Sequence, residues 1–190
     1  MAAMMQIDDH GLLPGCTYIA SPNCDDRPTG TIDLLVIHNI SLPPGEFSGD
    51  AVLRLFTNTL DATAHPYYQD IAQLKVSAHF FIRRDGQIIQ LVSCLKRAWH
   101  AGLSCWQGRL RCNDFSIGVE LEGSDTVAFT AAQYAALHEL TRALRKVYPL
   151  SGIAGHSDIA PQRKTDPGGC FDWLGYLSRL AMPEPLHTEA

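Results

Sequence analysis

The chain has 190 residues, 46% of them apolar and 18% charged, which suffices for one sizeable core and leaves two independent domains cramped. A net charge of -5 and a pI near 5.8 offer no basic footprint to nucleic acid or an anionic membrane, and no stretch reaches the roughly 20 apolar residues of a membrane span. The N-terminus lacks a basic region followed by an apolar run, so a cytoplasmic setting is expected, with the six cysteines, none in a CxxC pair, as free thiols.

Residues 1–30 are rich in Pro, Gly, Asp and Asn and read as a segment wrapping the surface of a domain over 31–181. The β-branched run from Ile32 to Ile37 predicts a buried central strand over 32–38, ending in His38-Asn39 where a Pro/Gly loop begins. A short amphipathic helix is expected over 50–58. Two β-rich runs, 78–83 and 87–93, flank Asp85-Gly86 and predict a hairpin. His79, in the first of these strands, reads either as a core histidine or as a ligand. In RAWHAG, Trp99 and His100 stand beside small residues; they suit a sugar or peptide contact as well as they suit a core tryptophan with an incidental histidine.

The stretch SIGVELEG alternates, placing Ile117, Val119 and Leu121 on one strand face and Gly118, Glu120 and Glu122 on the other. With both sheet faces covered, Glu120 is a desolvated carboxylate suited to proton transfer; with one face wet it is a surface glutamate. Thr130 and Gln133 form a capping-box pattern ahead of a helical stripe from Tyr134 to Val147, which leaves His138 off the stripe and expected on the surface. A closing helix over 171–180 is expected to turn Trp173, Leu174 and Leu177 inward, and the tail 182–190 is expected to be flexible.

Between these two helices lies GHSDIAPQRKTDPG, where His156 comes after a short strand and the prolines and glycines deny helix and sheet to the residues beyond it. His156 and Asp166, ten apart, fit a loop that returns to its origin; they could be two zinc ligands, although Asp before Pro is also an ordinary turn former. His38, Glu120 and His156 all fall on or at the end of strands. With Lys164 and Asp166 they make the residue set of a zinc hydrolase: two imidazoles and a carboxylate as ligands, a free carboxylate as base, an ammonium for an oxyanion.

The texts LLVIHNISLPPGEF, VSAHFFIRRDGQIIQ, RAWHAG, CNDFSIGVELEG and GHSDIAPQRKTDPG resemble the zinc-dependent N-acetylmuramoyl-L-alanine amidases, and among them the cytoplasmic enzymes of cell-wall recycling. The resemblance runs from about Ser21 to Trp173. It implies a single α/β domain, a central mixed β-sheet flanked by helices, like that of the peptidoglycan-recognition proteins. It also implies zinc held by His38, His156 and Asp166, where phage-type relatives place a cysteine at the third position. Glu120 then serves as base toward a water activated at the zinc, and Lys164 stabilises the oxyanion. Asn39, Trp99, His100 and Arg111 are implied as contacts to an anhydro-muropeptide substrate, and Lys75 stands where an arginine is implied. No obligate protein partner is expected. Two other classes fit parts of the sequence: a non-catalytic peptidoglycan-fragment-binding module on the same fold, and a cysteine hydrolase using one of the six thiols.

Overall fold

The N-terminal segment does more than wrap. In the computed structural model, which describes residues 5–28 and 30–181, it supplies β1 (Thr17–Tyr18) and β2 (Cys24–Asp26) and buries Ile7 and Leu13 in the main core. Loop-forming composition hid these strands because each is only two or three residues long. The tail at 182–190 lies outside the described residues.

The central strand β3 spans Leu34–Ile40, two residues later than its apolar run, because its ladder with the strand at 116–122 opens at Leu34 opposite Ser116. After it come α1 (Ala51–Phe56) and α2 (Tyr68–Ile71), then β4 (Phe80–Ile82) and β5 (Ile88–Gln90) as the expected antiparallel hairpin. Gly86 takes φ +87° in its turn, and a Cβ there would meet the Ala132 carbonyl at 2.8 Å, so glycine is required twice over. Next come β6 (Lys96–Ala98), β7 (Cys105–Trp106), β8 (Arg109–Leu110), a 3-10 turn at Cys112–Asp114, and β9 (Ser116–Glu122). The chain closes with α3 (Ala131–Val147), β10 (Gly152–Gly155), α4 (His156–Ile159) and α5 (Trp173–Ala181).

Among the described residues the main sheet has the order β1-β5-β4-β9-β3-β10, with β4, β9, β3 and β10 parallel and β5 antiparallel to β4. Alternation then sorts the side chains. Leu35, Ile37, Phe80, Ile82, Ile117, Val119 and Leu121 pack beneath α3 and α5. On the opposite face Phe81 and Ile89 meet α1, while Leu34 and Val36 meet Ala101, Phe115 and Ile159. Each such side chain removed from water contributes about 1.5–3 kcal/mol, so register is strongly specified. Both faces being covered, all seven residues of β9 are buried, and the one polar strip on the second face lies between its two apolar clusters.

Helix α3 carries the expected capping box: Thr130 accepts from the Gln133 N–H and Gln133 returns the bond. Two expectations for the helices are corrected. His138 is buried, only 3% exposed, with Nε2 on the Tyr176 carbonyl and Nδ1 on the Tyr134 carbonyl, because α5 crosses the flank that the sequence stripe leaves out. In α5 Trp173 packs half-buried against the core as expected, but the fully inward residues are Tyr176 and Leu180, one turn apart, while Leu174 is 80% and Leu177 44% exposed. No helix of the described residues is long and apolar enough to cross a membrane.

Candidate active site

Parallel register brings the site together. His38 on β3 lies directly opposite Glu120 on β9, so the two side chains share the second face of the sheet. β10 runs alongside β3 and delivers His156 as the first residue of α4. The loop beyond it does return: the Ser157 N–H donates to the Asp166 carbonyl at 2.9 Å. Gly155 makes this return possible, since a Cβ there would press on Pro167 Cδ at 2.8 Å.

Three electron-pair donors converge as a result. His38 Nδ1 and His156 Nδ1 are 3.0 Å apart, and Asp166 Oδ2 lies 3.0 Å from the first and 3.1 Å from the second. Both imidazoles are buried and the carboxylate nearly so, at 15% side-chain exposure. His156 Nε2 sits 3.1 Å from the Ala101 carbonyl, which can only accept, so a neutral His156 carries its proton there and leaves Nδ1 bare. Burial pushes His38 down to about 4, against the pull of Asp166, so it is neutral with a single proton. Burial works to raise Asp166, but its bonds to His156 and His38 outweigh that and hold the carboxyl well below the ordinary range. Three electron-pair donors thus lie within 3.1 Å of one another. A divalent cation satisfies all three at once, and two imidazole nitrogens with one carboxylate oxygen are a donor set zinc takes.

Glu120 stands beside this triangle, 9% exposed, with Oε2 lacking any hydrogen-bond partner. Burial pushes its pKa well above that of a free carboxyl, the charge of Asp166 adds to the effect, and Lys164 opposes it. Above the group opens a cleft of about 530 Å³, lined by Glu120, His156, Lys164 and Asp166 on its floor and by Asn39 and Trp99 among its walls.

The remaining predicted residues separate. Asn39 lines the cleft and donates through Nδ2 to Asp125 Oδ1 at 2.7 Å, a partner that sequence reasoning did not single out. Trp99 is half-buried in the wall. His100 lines the cleft as well, with both ring nitrogens engaged, Nδ1 with His38 and Nε2 with Ser116 Oγ. Arg111 does not line this cleft; it is 69% exposed, pairs with Asp114 at 3.3 Å, and borders a separate depression beside Leu103 and Arg163. Its backbone is left-handed, φ +62°. Lys75 is exposed and likewise absent from the cleft lining. His79 is a core histidine, accepting from the Gly118 N–H and bonded to the Lys96 carbonyl. The apolar wall from Phe56, Tyr67, Ile71 and Leu74 was missed, because DATAHPYYQD reads as loop and hides α2. None of the six cysteines lines the cleft, so the thiol hydrolase has no nucleophile at this site.

A buried carboxylate beside three potential cation ligands is a set of groups able to add water to a carbonyl carbon, and the class it fits is a hydrolase. The chain belongs to the N-acetylmuramoyl-L-alanine amidase family, whose model matches residues 28–169, and it is an amidase of that kind. It is 58% identical over 171 residues to the 1,6-anhydro-N-acetylmuramyl-L-alanine amidase AmpD of Escherichia coli, covering 88% of this chain and 93% of that protein. A crystal structure of a selenomethionine AmpD derivative superposes with a TM-score of 0.88 at 55% identity, over 92% of this chain and 98% of that one. The Escherichia coli amidase AmiD, solved with the substrate anhydro-N-acetylmuramic acid-L-Ala-D-gamma-Glu-L-Lys, matches at TM-score 0.60 and 30% identity, over 91% of this chain and 65% of that one. A human peptidoglycan-recognition protein shares the fold alone, at 17% identity and TM-score 0.57, over 81% of this chain and 86% of that one.

Proposed function

We propose that this chain hydrolyses the amide joining the lactyl group of 1,6-anhydro-N-acetylmuramic acid to L-alanine, as a zinc enzyme of cytoplasmic cell-wall recycling. The observation that carries the reading is the triangle of His38 Nδ1, His156 Nδ1 and Asp166 Oδ2, three electron-pair donors 3.0–3.1 Å apart. Held there, zinc supplies Lewis acidity toward water and the scissile carbonyl. The substrate class rests on the AmpD relatives and the AmiD complex, and six unpaired thiols suit a reducing compartment.

The chain's own groups do the rest. Glu120 takes a proton from the attacking water as the C–O bond forms, and its raised pKa lets it return that proton to the departing nitrogen as the C–N bond breaks. The products are a free lactyl carboxylate and a peptide with a free alanine amino group. Lys164 lies on the cleft floor, where an ammonium offsets negative charge developing on the carbonyl oxygen. Asn39, fixed by Asp125, presents its amide oxygen to a substrate donor, and Trp99 offers an apolar plate beside it. We assign the reaction to residues 31–181, with the described residues before them, 5–28 and 30, as packed cover. A module that only bound muropeptide would have no use for a buried, unpartnered carboxylate beside three cation donors.

The test is release of the alanine amino group from anhydro-muropeptide. Activity abolished by a chelator and restored by zinc is expected; full activity in the metal-stripped protein would sink the proposal.

A further inference from the structure

Each imidazole of the triangle turns one nitrogen toward the cation position and commits the other to the same two-residue segment. His156 Nε2 meets the Ala101 carbonyl, whereas His38 Nε2 meets His100 Nδ1 at 2.9 Å. A carbonyl can only accept, so the proton of His156 falls on Nε2; Arg163 Nη2, 3.4 Å from the same nitrogen, spends its two hydrogens on the Ala101 and Leu103 carbonyls. A ring nitrogen can accept or donate, so the tautomer of His38 depends on that of His100.

His100 is placed to settle it. Its Nε2 lies 3.1 Å from Ser116 Oγ, a partner able to accept, and its ring fills the space over Gly118, where an added Cβ would come within 2.5 Å of ring Cγ. The backbone is held as firmly: Asn113 Oδ1 accepts from the N–H groups of both His100 and Ala101, at 3.1 and 2.8 Å. From the other side Arg163 donates to the Ala101 carbonyl at 2.7 Å. The segment has little freedom to rotate either partner away.

We propose that His100 is a positioning residue of the cation site. Donating Nε2–H to Ser116, it accepts Nε2–H of His38 through Nδ1 and so keeps His38 Nδ1 free as an electron-pair donor; the Ala101 carbonyl does the same for His156. This places His100 behind the ligand instead of against the substrate, in line with its 9% exposure and two engaged nitrogens. The inference rests on the zinc reading above.

Zinc affinity measured by chelator competition at one pH tests it in the full chain. An asparagine sets its amide oxygen near the position of Nδ1, whereas a glutamine reaches toward Nε2. H100A and H100Q are therefore expected to weaken zinc binding roughly 10- to 100-fold, with H100N recovering most of the loss. Nitrogen-15 spectra of the zinc-loaded wild-type protein should show His100 protonated on Nε2 and bare on Nδ1. A His100 protonated on Nδ1, equal losses in H100N and H100Q, or H100A within about threefold of wild type would each overturn the proposal. Should H100A not fold, the asparagine and glutamine pair and the wild-type spectrum still decide. Wild-type protein that takes up no zinc overturns the functional reading instead, so the two failures are distinct.

Discussion

Glu120 and Asp166 are carboxylates beneath one cleft, and their surroundings push them in opposite directions. Burial without a partner for Oε2 raises Glu120, while two imidazoles hold Asp166 down; separation of that kind divides a proton carrier from a fixed anion. Glu120→Gln keeps the shape and removes the proton acceptor. Turnover is expected to fall about 10²- to 10⁴-fold with zinc content unchanged by metal analysis; near-normal turnover with zinc bound would show that Glu120 is not the base. His79 supplies the pH dependence at this scale. Burial, with the charge of Arg27 adding, pushes it down to about 3, below the 6.5 of the unfolded chain. The unfolded state therefore binds the extra proton first, so the stability this neutral ring contributes is complete above 6.5 and is lost as pH falls from 6.5 toward 3. The slope contributed is up to about 1.4 kcal/mol per pH unit. Urea midpoints at pH 7 and pH 5 should differ less in His79→Asn than in wild type.

Among the elements, α5 best shows how packing overrides a sequence stripe. Its inward residues are Tyr176 and Leu180, and the Tyr176 hydroxyl meets Thr141 Oγ1 at 2.7 Å inside the core. Thr141 spends its own proton on the Leu137 carbonyl, so it accepts from the tyrosine. Tyr176→Phe is expected to cost about 1 kcal/mol and Tyr176→Ala about 3–5 kcal/mol in urea unfolding. Leu174→Ala, at an exposed position, should change stability by less than about 0.5 kcal/mol; a loss near that of Tyr176→Ala would mean the helix is rotated from the orientation described. The loop from His156 to Asp166 makes the complementary point: its composition announces a turn-rich return, and the Ser157 to Asp166 bond completes one.

The whole molecule is a sheet with two unlike sides. Beneath α3 and α5 one face is mainly apolar, with Gln90 buried beside Phe80 and hydrogen-bonded to the Leu13 N–H; the other carries the polar groups of the site between two apolar clusters. On the proposed function zinc binds the folded triangle and not a loose chain, so removing it should lower thermal stability. Free zinc at about 1,000 times its Kd stabilises by about 4 kcal/mol, so the melting temperature should drop on chelation and recover on zinc addition. A melting temperature indifferent to chelator would show that the triangle holds no ion.

Much of this was legible from the chain alone. The β-branched run before His38, the alternation around Glu120, the Asp-Gly hairpin and the capping box are local patterns, and local backbone preferences act on neighbours that the sequence prints side by side. The same holds for the residue types of the site, since imidazole, carboxylate and ammonium carry their chemistry wherever they are placed. Only the tertiary structure could turn His138 inward, put Leu174 outside, carry Arg111 away from the cleft and set His100 behind His38. Those outcomes depend on contacts between residues tens of positions apart, where the partner that buries or bonds a side chain is chosen by how elements cross and not by anything adjacent in the chain.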